Sequence, residues 1–134
     1  MSADIQALID AARDAREHAY APYSNFQVGA AVLTRDGETF VGCNVENASY
    51  GLCNCAERTA LFAAVAAGYG PGDLTHLAVI ADCDDPVAPC GACRQVMIEL
   101  GGPGLVVIQT NLHGDVMQMT AAELLPAAFT LTPR

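Results

Sequence analysis

Three cysteines and one glutamate supply the residue types from which a zinc site with an adjacent carboxylate can be built. Cys90 and Cys93 have the Cys-x-x-Cys spacing at which two thiolates reach one metal from a turn that opens a helix. Two ligands do not complete a tetrahedron, and Cys55 can provide a third. A water in the fourth position would make the site catalytic rather than structural. Glu57, two residues after Cys55, could then touch this water without binding the metal.

The predicted surroundings of the cysteines would stabilise thiolates. Both cysteine clusters lie where a loop is predicted to enter a helix, and the free N–H groups there lower thiol pKa values. Three thiolates on Zn²⁺ leave a net charge of about −1, which weakens the ion as a Lewis acid. A cation near the sulfurs would restore this power. Arg58 and Arg94 are the candidates, as two of the six basic residues in the chain.

Two other interpretations of the cysteines remain open. Cys53 could be the fourth ligand of a closed, structural zinc site, but such a site leaves Glu57 without a role. The Cys-x-x-Cys pair alone could be a redox motif, but Cys55 would then be unused. Because Cys55 stands directly before Ala56-Glu57, the sequence favours the three-cysteine site with an open position.

Composition and charge favour a globular cytoplasmic protein. The chain of 134 residues, 52% of them apolar, suits a single domain over residues 1–134. Fifteen acidic residues against six basic ones argue against a nucleic-acid polymer as partner. No apolar run reaches the ~20 residues of a membrane helix, and the N-terminus lacks the pattern of a secretory signal. In a reducing compartment, Cys43 and Cys83 are expected to be ordinary thiols, buried or partly buried.

Hydrophobic periodicity predicts helices and strands in alternation. Helices are predicted over residues 3–18, 57–67 and 91–100, and a capping box at 120–123 opens a short last one. Strands are predicted over residues 26–33, 39–45, 76–81 and 105–109, with a further candidate at 116–119. Gly29, inside the first strand, indicates a bulge or a close backbone approach. The order predicts an α/β fold of three layers, α/β/α, with a mixed central sheet of about five strands.

Several linked motifs resemble the zinc-dependent nucleobase and nucleoside deaminases. Cys-Ala-Glu at residues 55–57 followed by Pro-Cys-x-x-Cys at 89–93 is similar to that family's zinc motif. The all-cysteine form is typical of the small homotetrameric cytidine deaminases. The likeness extends to residues 20–31, 42–50, 55–60 and 124–129, in one order over nearly the whole chain. The resemblance implies the cytidine deaminase-like fold and Zn²⁺ as cofactor.

The resemblance also implies a reaction and assigns the residues that perform it. Cytidine and deoxycytidine would be hydrolysed to uridine and deoxyuridine with release of ammonia, as in pyrimidine salvage. Cys55, Cys90 and Cys93 would hold Zn²⁺, and hydroxide on the zinc would attack C4 of cytosine. Glu57 would carry protons from the zinc-bound water to N3 and to the leaving amine.

Substrate contacts follow from the same resemblance. Asn44 and Glu46 would hydrogen-bond the ribose 3′-hydroxyl, Phe26 would lie against the pyrimidine ring, and the backbone of Ala56 would help to read the base. Without the linked motifs, Phe26 would be interpreted as a core residue. Asn44 and Glu46 would be interpreted as solvated turn residues.

The resemblance places two further residues at a subunit boundary. Tyr50 and Phe129 would reach into a neighbouring subunit's site in a homotetramer, although Phe129 could instead anchor its own C-terminal tail. Two other functions compete with cytidine deamination. One is a deaminase acting on a nucleotide, a free base or a cytosine-bearing antibiotic, and the other is a structural zinc module.

Overall fold

The computed structural model describes residues 2–131. Its α-helices are α1 (Ala3–Arg16), α2 (Ala56–Ala66), α3 (Gly91–Gly101) and α4 (Ala121–Leu124), with a 3-10 turn at Tyr50–Leu52. Its strands are β1 (Val28–Thr34), β2 (Thr39–Cys43), β3 (Leu74–Ala81), β4 (Val106–Asn111) and β5 (Val116–Thr120). This order of helices and strands is the one predicted from the sequence. Among the described residues, no helix combines the length and apolarity needed to cross a membrane.

The five strands form one mixed sheet in the order β2-β1-β3-β4-β5. Strands β3 and β4 are parallel, which requires a crossover, and α3 provides it. The remaining neighbours are antiparallel. The candidate strand at 116–119 is real, because β5 pairs with β4 along its whole length. The predicted mixed sheet of five strands is therefore confirmed.

Helices cover both faces of the sheet. On one face, Leu8 and Ile9 of α1 pack with Ala31, Ala78, Ile80 and Ile108. The alternate residues of the strands point to the other face, where Ala30, Val32, Leu77, Val79 and Val107 pack with residues of α2 and α3. The predicted α/β/α layering is confirmed. The cysteine-bearing ends of α2 and α3 belong to the same layer.

Most element boundaries differ from the prediction by one or two residues, and hydrogen bonds explain two of these differences. The helix predicted to reach residue 18 ends at Arg16, because the following N–H groups bond three residues back in a tighter turn, as in His18 N to Ala15 O at 3.0 Å. The first strand begins at Val28 rather than at Phe26. Asn44 Nδ2 donates to the Phe26 carbonyl and Asn44 Oδ1 accepts the Val28 N–H, each at 2.8 Å, and these bonds hold the segment outside the sheet.

Two glycines allow helices to lie directly on the strands. A Cβ on Gly29 would stand 2.0 Å from the carbonyl oxygen of Ala12 in α1, so the predicted close backbone approach is confirmed. A Cβ on Gly42 would stand 2.4 Å from the backbone N of Ala60 in α2. The absence of a side chain at Gly42 therefore fixes how closely α2, with its N-terminal cysteine, packs against β2.

Candidate active site

The three predicted ligand sulfurs converge at the starts of two helices. Cys55 is the N-cap of α2, Cys90 is the N-cap of α3, and Cys93 lies in the first turn of α3. The three Sγ atoms lie within 4.8 Å of one another, with Cys55 and Cys90 3.7 Å apart. Neither N-cap thiol caps its helix by a side-chain hydrogen bond, so both sulfurs are free to face the cluster. Three sulfurs at one point suit Zn²⁺, which prefers thiolate ligands.

One negative charge is concentrated on Cys55. Hydrogen bonds from the Cys93 thiol and from Arg58 lower the pKa of Cys55 to about 5. The pKa of Cys93 is raised because this thiol donates to Cys55 and is buried. Arg58 Nη2 lies 3.2 Å from the Cys55 sulfur, and the thiolate raises the pKa of this guanidinium. Arg58 thus takes the predicted place of a cation beside the sulfurs.

Arg94, the other candidate, makes no hydrogen bond to a sulfur among the described contacts. Its guanidinium donates to the carbonyl oxygens of Pro89 at 2.8 Å and Leu124 at 2.9 Å. These guanidinium N–H groups therefore bond to backbone carbonyls rather than to the thiolates. Of the two candidate cations, Arg58 is therefore the one that contacts a sulfur, whereas Arg94 ties the loop before Cys90 to the end of α4.

The remaining cysteines lie outside the cluster. The Cys53 sulfur accepts from the backbone N–H of Asn47 at 3.3 Å and is not among the sulfurs that group within 4.8 Å. This placement disfavours the closed four-cysteine site. Cys43 and Cys83 are partly buried, as expected, and burial raises the pKa of each thiol.

Glu57 is a buried carboxyl group beside the sulfurs. It is the second residue of α2, and only 4% of its surface is exposed. Burial raises the pKa of Glu57 to about 7, and the negative charge of Cys55 acts in the same direction. A group with this pKa can both accept and donate a proton near neutral pH, which is the property required of a general acid–base residue.

A cavity of about 270 Å³ connects the cysteines and Glu57 with polar side chains from two loops. Its size lies near the lower end of ligand pockets in proteins. The cavity is lined by Ser24, Phe26, Val28, Asn44, Glu46, Cys55, Ala56, Glu57, Val87, Ala88 and Cys90. The cavity therefore includes all four residues that were predicted to contact the base and the sugar within one subunit. These are Phe26, Asn44, Glu46 and Ala56.

The same geometry decides between the alternative interpretations of these residues. Phe26 is 41% exposed and faces the cavity, so it is not a core residue. Asn44 and Glu46 are more than solvated turn residues, because both bond to the backbone. Asn44 bonds to the backbone of the residues on either side of Gln27, and Glu46 Oε1 accepts the Tyr23 N–H at 2.9 Å. The two side chains shape one wall of the cavity.

Two predicted site residues do not line this cavity, although Tyr50 borders an adjoining depression that shares Ser24 and Glu46 with it. Tyr50 is 76% exposed and makes an edge-on contact with Tyr23, with ring centroids 6.4 Å apart. Phe129 is 67% exposed. Neither residue lines the cavity among the described residues, and their role at a neighbouring subunit's site stays a prediction.

Sequence reasoning assigned no role to Ser24, Val28, Val87 and Ala88. Ser24 and Val28 belong to the segment at 20–31 that carried the resemblance, so a signal existed for these two. Val87 and Ala88 come from the loop between β3 and α3, whose sequence has no feature that marks it as part of a pocket. The Val87 N–H donates to Thr110 O at 3.1 Å, which draws this loop across β4.

Comparison with known proteins agrees with the geometry of the site. The model of the cytidine and deoxycytidylate deaminase zinc-binding region matches residues 2–110. The chain is 58% identical to a cytidine deaminase of Halalkalibacterium halodurans over 127 residues, which cover 95% of each chain. It is 51% identical to a cytidine deaminase of Sporosarcina psychrophila, over 95% of this chain and 92% of the relative.

A solved structure shows the same fold. The crystal structure of cytidine deaminase from Burkholderia pseudomallei superposes with a TM-score of 0.92 and 65% sequence identity, over 96% of this chain and all of that one (100%). The clustered thiols, the adjacent carboxyl group and these matches lead to one conclusion: the chain belongs to the zinc-binding cytidine and deoxycytidylate deaminase family.

Proposed function

We propose that this protein catalyses the hydrolytic deamination of cytidine and deoxycytidine to uridine and deoxyuridine, with release of ammonia. The observation that carries the proposal is the cavity in which buried Glu57, two of the three clustered sulfurs and Phe26 face one another. A single domain acting in the cytoplasm, in pyrimidine salvage, fits this reaction.

Cys55, Cys90 and Cys93 would hold Zn²⁺, because their sulfurs are already gathered within 4.8 Å. When bound, Zn²⁺ supplies a Lewis acid that makes water a nucleophile near neutral pH. Arg58, 3.2 Å from the Cys55 sulfur, offsets part of the negative charge of three thiolates. By offsetting this charge, Arg58 would help the bound Zn²⁺ to remain an effective Lewis acid.

Glu57 would move the protons of the reaction. In the hydrolysis, water adds across the N3=C4 double bond of cytosine, and the bond from C4 to the amino group then breaks to release ammonia. Both protons of the water must be moved, one to N3 and one to the amino group, so one carboxyl group must accept and return a proton twice. Glu57 would deliver protons to N3 of the ring and to the departing amine at C4. Its burial and its pKa of about 7 support this role, since either protonation state is accessible near neutral pH.

The other residues of the cavity would hold the nucleoside. Phe26 would lie against the pyrimidine ring, the backbone of Ala56 would contact the base, and Asn44 and Glu46 would bind the ribose 3′-hydroxyl. No Lys or Arg is among the residues that line the cavity, so a nucleotide phosphate would find no cation there. This composition favours a nucleoside over a nucleotide.

We also infer that the protein is a homotetramer in which Tyr50 and Phe129 complete a neighbouring subunit's site. The Phe129 carbonyl accepts a hydrogen bond from Gln95 at 3.1 Å, yet its side chain remains largely exposed. A backbone fixed in this way with an unpacked ring argues against an anchor for the tail of the same chain. Leu52 and Leu131 are 69% and 74% exposed, and apolar exposure of this kind suits an interface between copies.

Glu57→Gln tests the reaction while preserving the size of the side chain. We expect this variant to keep its zinc and to lose turnover by roughly 10²- to 10⁴-fold, because an amide cannot exchange the protons. Ammonia release from cytidine and the zinc content of the same preparation are the two measurements. Undiminished turnover would contradict the proposal. Parallel assays with cytidine 5′-monophosphate, cytosine and a cytosine-bearing antibiotic would reveal a different substrate.

Cys53→Ala separates the enzyme from a structural zinc module. A closed four-cysteine site would lose zinc in this variant. The proposed three-cysteine site would keep both zinc and activity, because the Cys53 sulfur contacts the backbone of Asn47 instead. Sedimentation equilibrium of the unmodified protein would test the tetramer independently.

A further inference from the structure

We propose that Ser24 is a positioning residue that aims the Glu46 carboxylate and the Phe26 segment at the sugar and the base of the substrate. The inference rests on the proposed function and deepens it. Ser24 lies between Pro22 and Phe26, in a loop that borders the cavity, and it lines the cavity together with Glu46. Its hydroxyl connects the two residues.

The direction of each hydrogen bond is fixed by chemistry. The Phe26 N–H can only donate, and it donates to Ser24 Oγ at 3.0 Å. The hydroxyl proton of Ser24 is then directed to Glu46 Oε2, which accepts it. Ser24 is therefore an acceptor on one side and a donor on the other, so its rotation is restricted by both partners.

The other carboxylate oxygen is held by the backbone. Glu46 Oε1 accepts the N–H groups of Tyr23 at 2.9 Å and Ser24 at 3.2 Å. The same contacts, with the Ser24 hydroxyl as the largest cause, lower the pKa of Glu46 and keep this group charged. A carboxylate offers about four acceptor positions, of which the chain fills three. The one that remains is on Oε2, beside the Ser24 hydroxyl.

Asn44 supplies the matching donor. Its Oδ1 accepts the Val28 N–H and its Nδ2 donates to the Phe26 carbonyl, both at 2.8 Å. One N–H of the amide is left for another partner. A free acceptor on Glu46 and a free donor on Asn44 together complement one hydroxyl group, which both donates and accepts. Because Ser24 occupies the first acceptor position of Oε2, it determines where the second one points.

Loss of the Ser24 hydroxyl should weaken recognition of a sugar hydroxyl more than it weakens the chemistry. Without it, Glu46 is held through Oε1 alone and Oε2 can turn away from Asn44. Glu57 and the cysteines have no hydrogen bond to Ser24 among the described contacts, so proton transfer should be spared. A difference between KM and kcat is therefore the expected signature.

The experiment compares Ser24→Ala, Ser24→Thr and unmodified protein on cytidine and on 3′-deoxycytidine, which lacks the 3′-hydroxyl. We expect Ser24→Ala to raise KM for cytidine by about 10-fold, the scale of a lost hydrogen bond to a charged group, with kcat changed by less than about 3-fold. On 3′-deoxycytidine, the KM values of Ser24→Ala and the unmodified protein should agree within about 2-fold. Ser24→Thr retains a hydroxyl and should restore most of the KM for cytidine.

Ser49→Ala is the matched control, since Ser49 is exposed and its side chain makes no capping hydrogen bond. An unchanged KM in Ser24→Ala would overturn the inference. An equal rise on both substrates would also overturn it, because this pattern indicates a general distortion of the loop.

Failure of the proposed function has a different outcome: the unmodified protein would release no ammonia from cytidine. Amide hydrogen exchange then tests the Ser24 link alone. Ser24→Ala should speed exchange at the N–H groups of Tyr23 and Phe26, and unchanged rates would refute the link.

Discussion

Gly42→Ala is expected to damage both the stability of the fold and the geometry of the site. Gly42 pairs with Ala30 in the sheet, and α2 lies against it. A methyl group there would stand 2.4 Å from Ala60 N, 2.6 Å from Ala56 O and 2.8 Å from Thr59 Cβ. Ordinary contacts need roughly 3.5 Å. Two of the three atoms are helix backbone, so α2 must move by about 1 Å rather than rotate a side chain.

The cost in stability follows from two opposing effects. Overpacking of this kind costs about 3 kcal/mol, at the upper end of the usual range. Alanine in a strand loses less backbone entropy on folding than glycine does, and this difference offsets about 0.5–1 kcal/mol of the overpacking cost. We therefore expect the free energy of unfolding to fall by about 2 kcal/mol, and Tm to fall by roughly 6–10 °C for a chain of this size.

The cost in activity arises because the displaced end of α2 carries Cys55 and Glu57. A shift of about 1 Å in a catalytic group can lower turnover by about 100-fold. Thermal unfolding followed by circular dichroism gives Tm, and ammonia release at 25 °C, well below Tm, gives the turnover of folded molecules. We expect kcat to fall by about 10- to 100-fold.

Two matched glycine variants make this result interpretable. Gly70→Ala places a methyl group where no atom lies within 4 Å, and its Tm should stay within about 2 °C of the unmodified protein. Gly29→Ala overpacks the opposite face, 2.0 Å from Ala12 O, and should lower Tm while reducing kcat less than Gly42→Ala does. Normal stability and turnover in Gly42→Ala would refute the reasoning, and equal loss of kcat in both overpacked variants would assign it to destabilisation alone.

Three further predictions concern charge and metal. Arg58→Gln removes the cation 3.2 Å from the Cys55 sulfur and should lower zinc affinity or kcat by roughly 10- to 100-fold. Chelator competition measures the affinity and ammonia release measures kcat, and unchanged values would exclude a tuning role. Hydrogen bonds from Thr34 and Tyr69 lower the pKa of Asp36, so its carboxylate stabilises the fold above the unfolded pKa of about 3.9, and this contribution is lost as the pH falls through the folded value. Urea unfolding of Asp36→Asn should therefore differ most from the unmodified protein near pH 6, with the difference shrinking below about pH 4, and a constant difference would contradict this account. Removal of Zn²⁺ by a chelator should lower Tm, and added Zn²⁺ should restore it, because an ion that binds the folded thiols stabilises the folded state; a Tm independent of zinc would argue against the site.

Local patterns in the sequence were enough to predict the elements and the metal cluster. The periodicity of each segment depends on its own residues, so the order of helices and strands followed directly. The choice of Cys55 over Cys53 also had a local basis, since Cys55 immediately precedes the helix that carries Glu57. The resemblance supplied Phe26, Asn44 and Glu46, which no periodicity marks as binding residues.

Contacts between distant segments required the tertiary structure. Arg58 and Arg94 each follow a cysteine by a spacing that a helix turn can bring together, yet only Arg58 reaches a sulfur. Arg94 instead meets the Leu124 carbonyl, 30 residues away along the chain. The direction of a long flexible side chain depends on which acceptors the rest of the fold places around it, and spacing along one helix does not contain that information.

The walls of the cavity illustrate the same division. The sequence determined which residues could carry chemistry, because ligand type, helix starts and the adjacency of Glu57 to Cys55 are properties of short segments. The tertiary structure decided that Ser24 would hold Glu46 and that Val87 and Ala88 would close the cavity. The first contact joins the segments before β1 and after β2, and the second depends on the hydrogen bond from Val87 N–H to Thr110 O. Both are hydrogen bonds between residues far apart along the chain, which no short segment specifies.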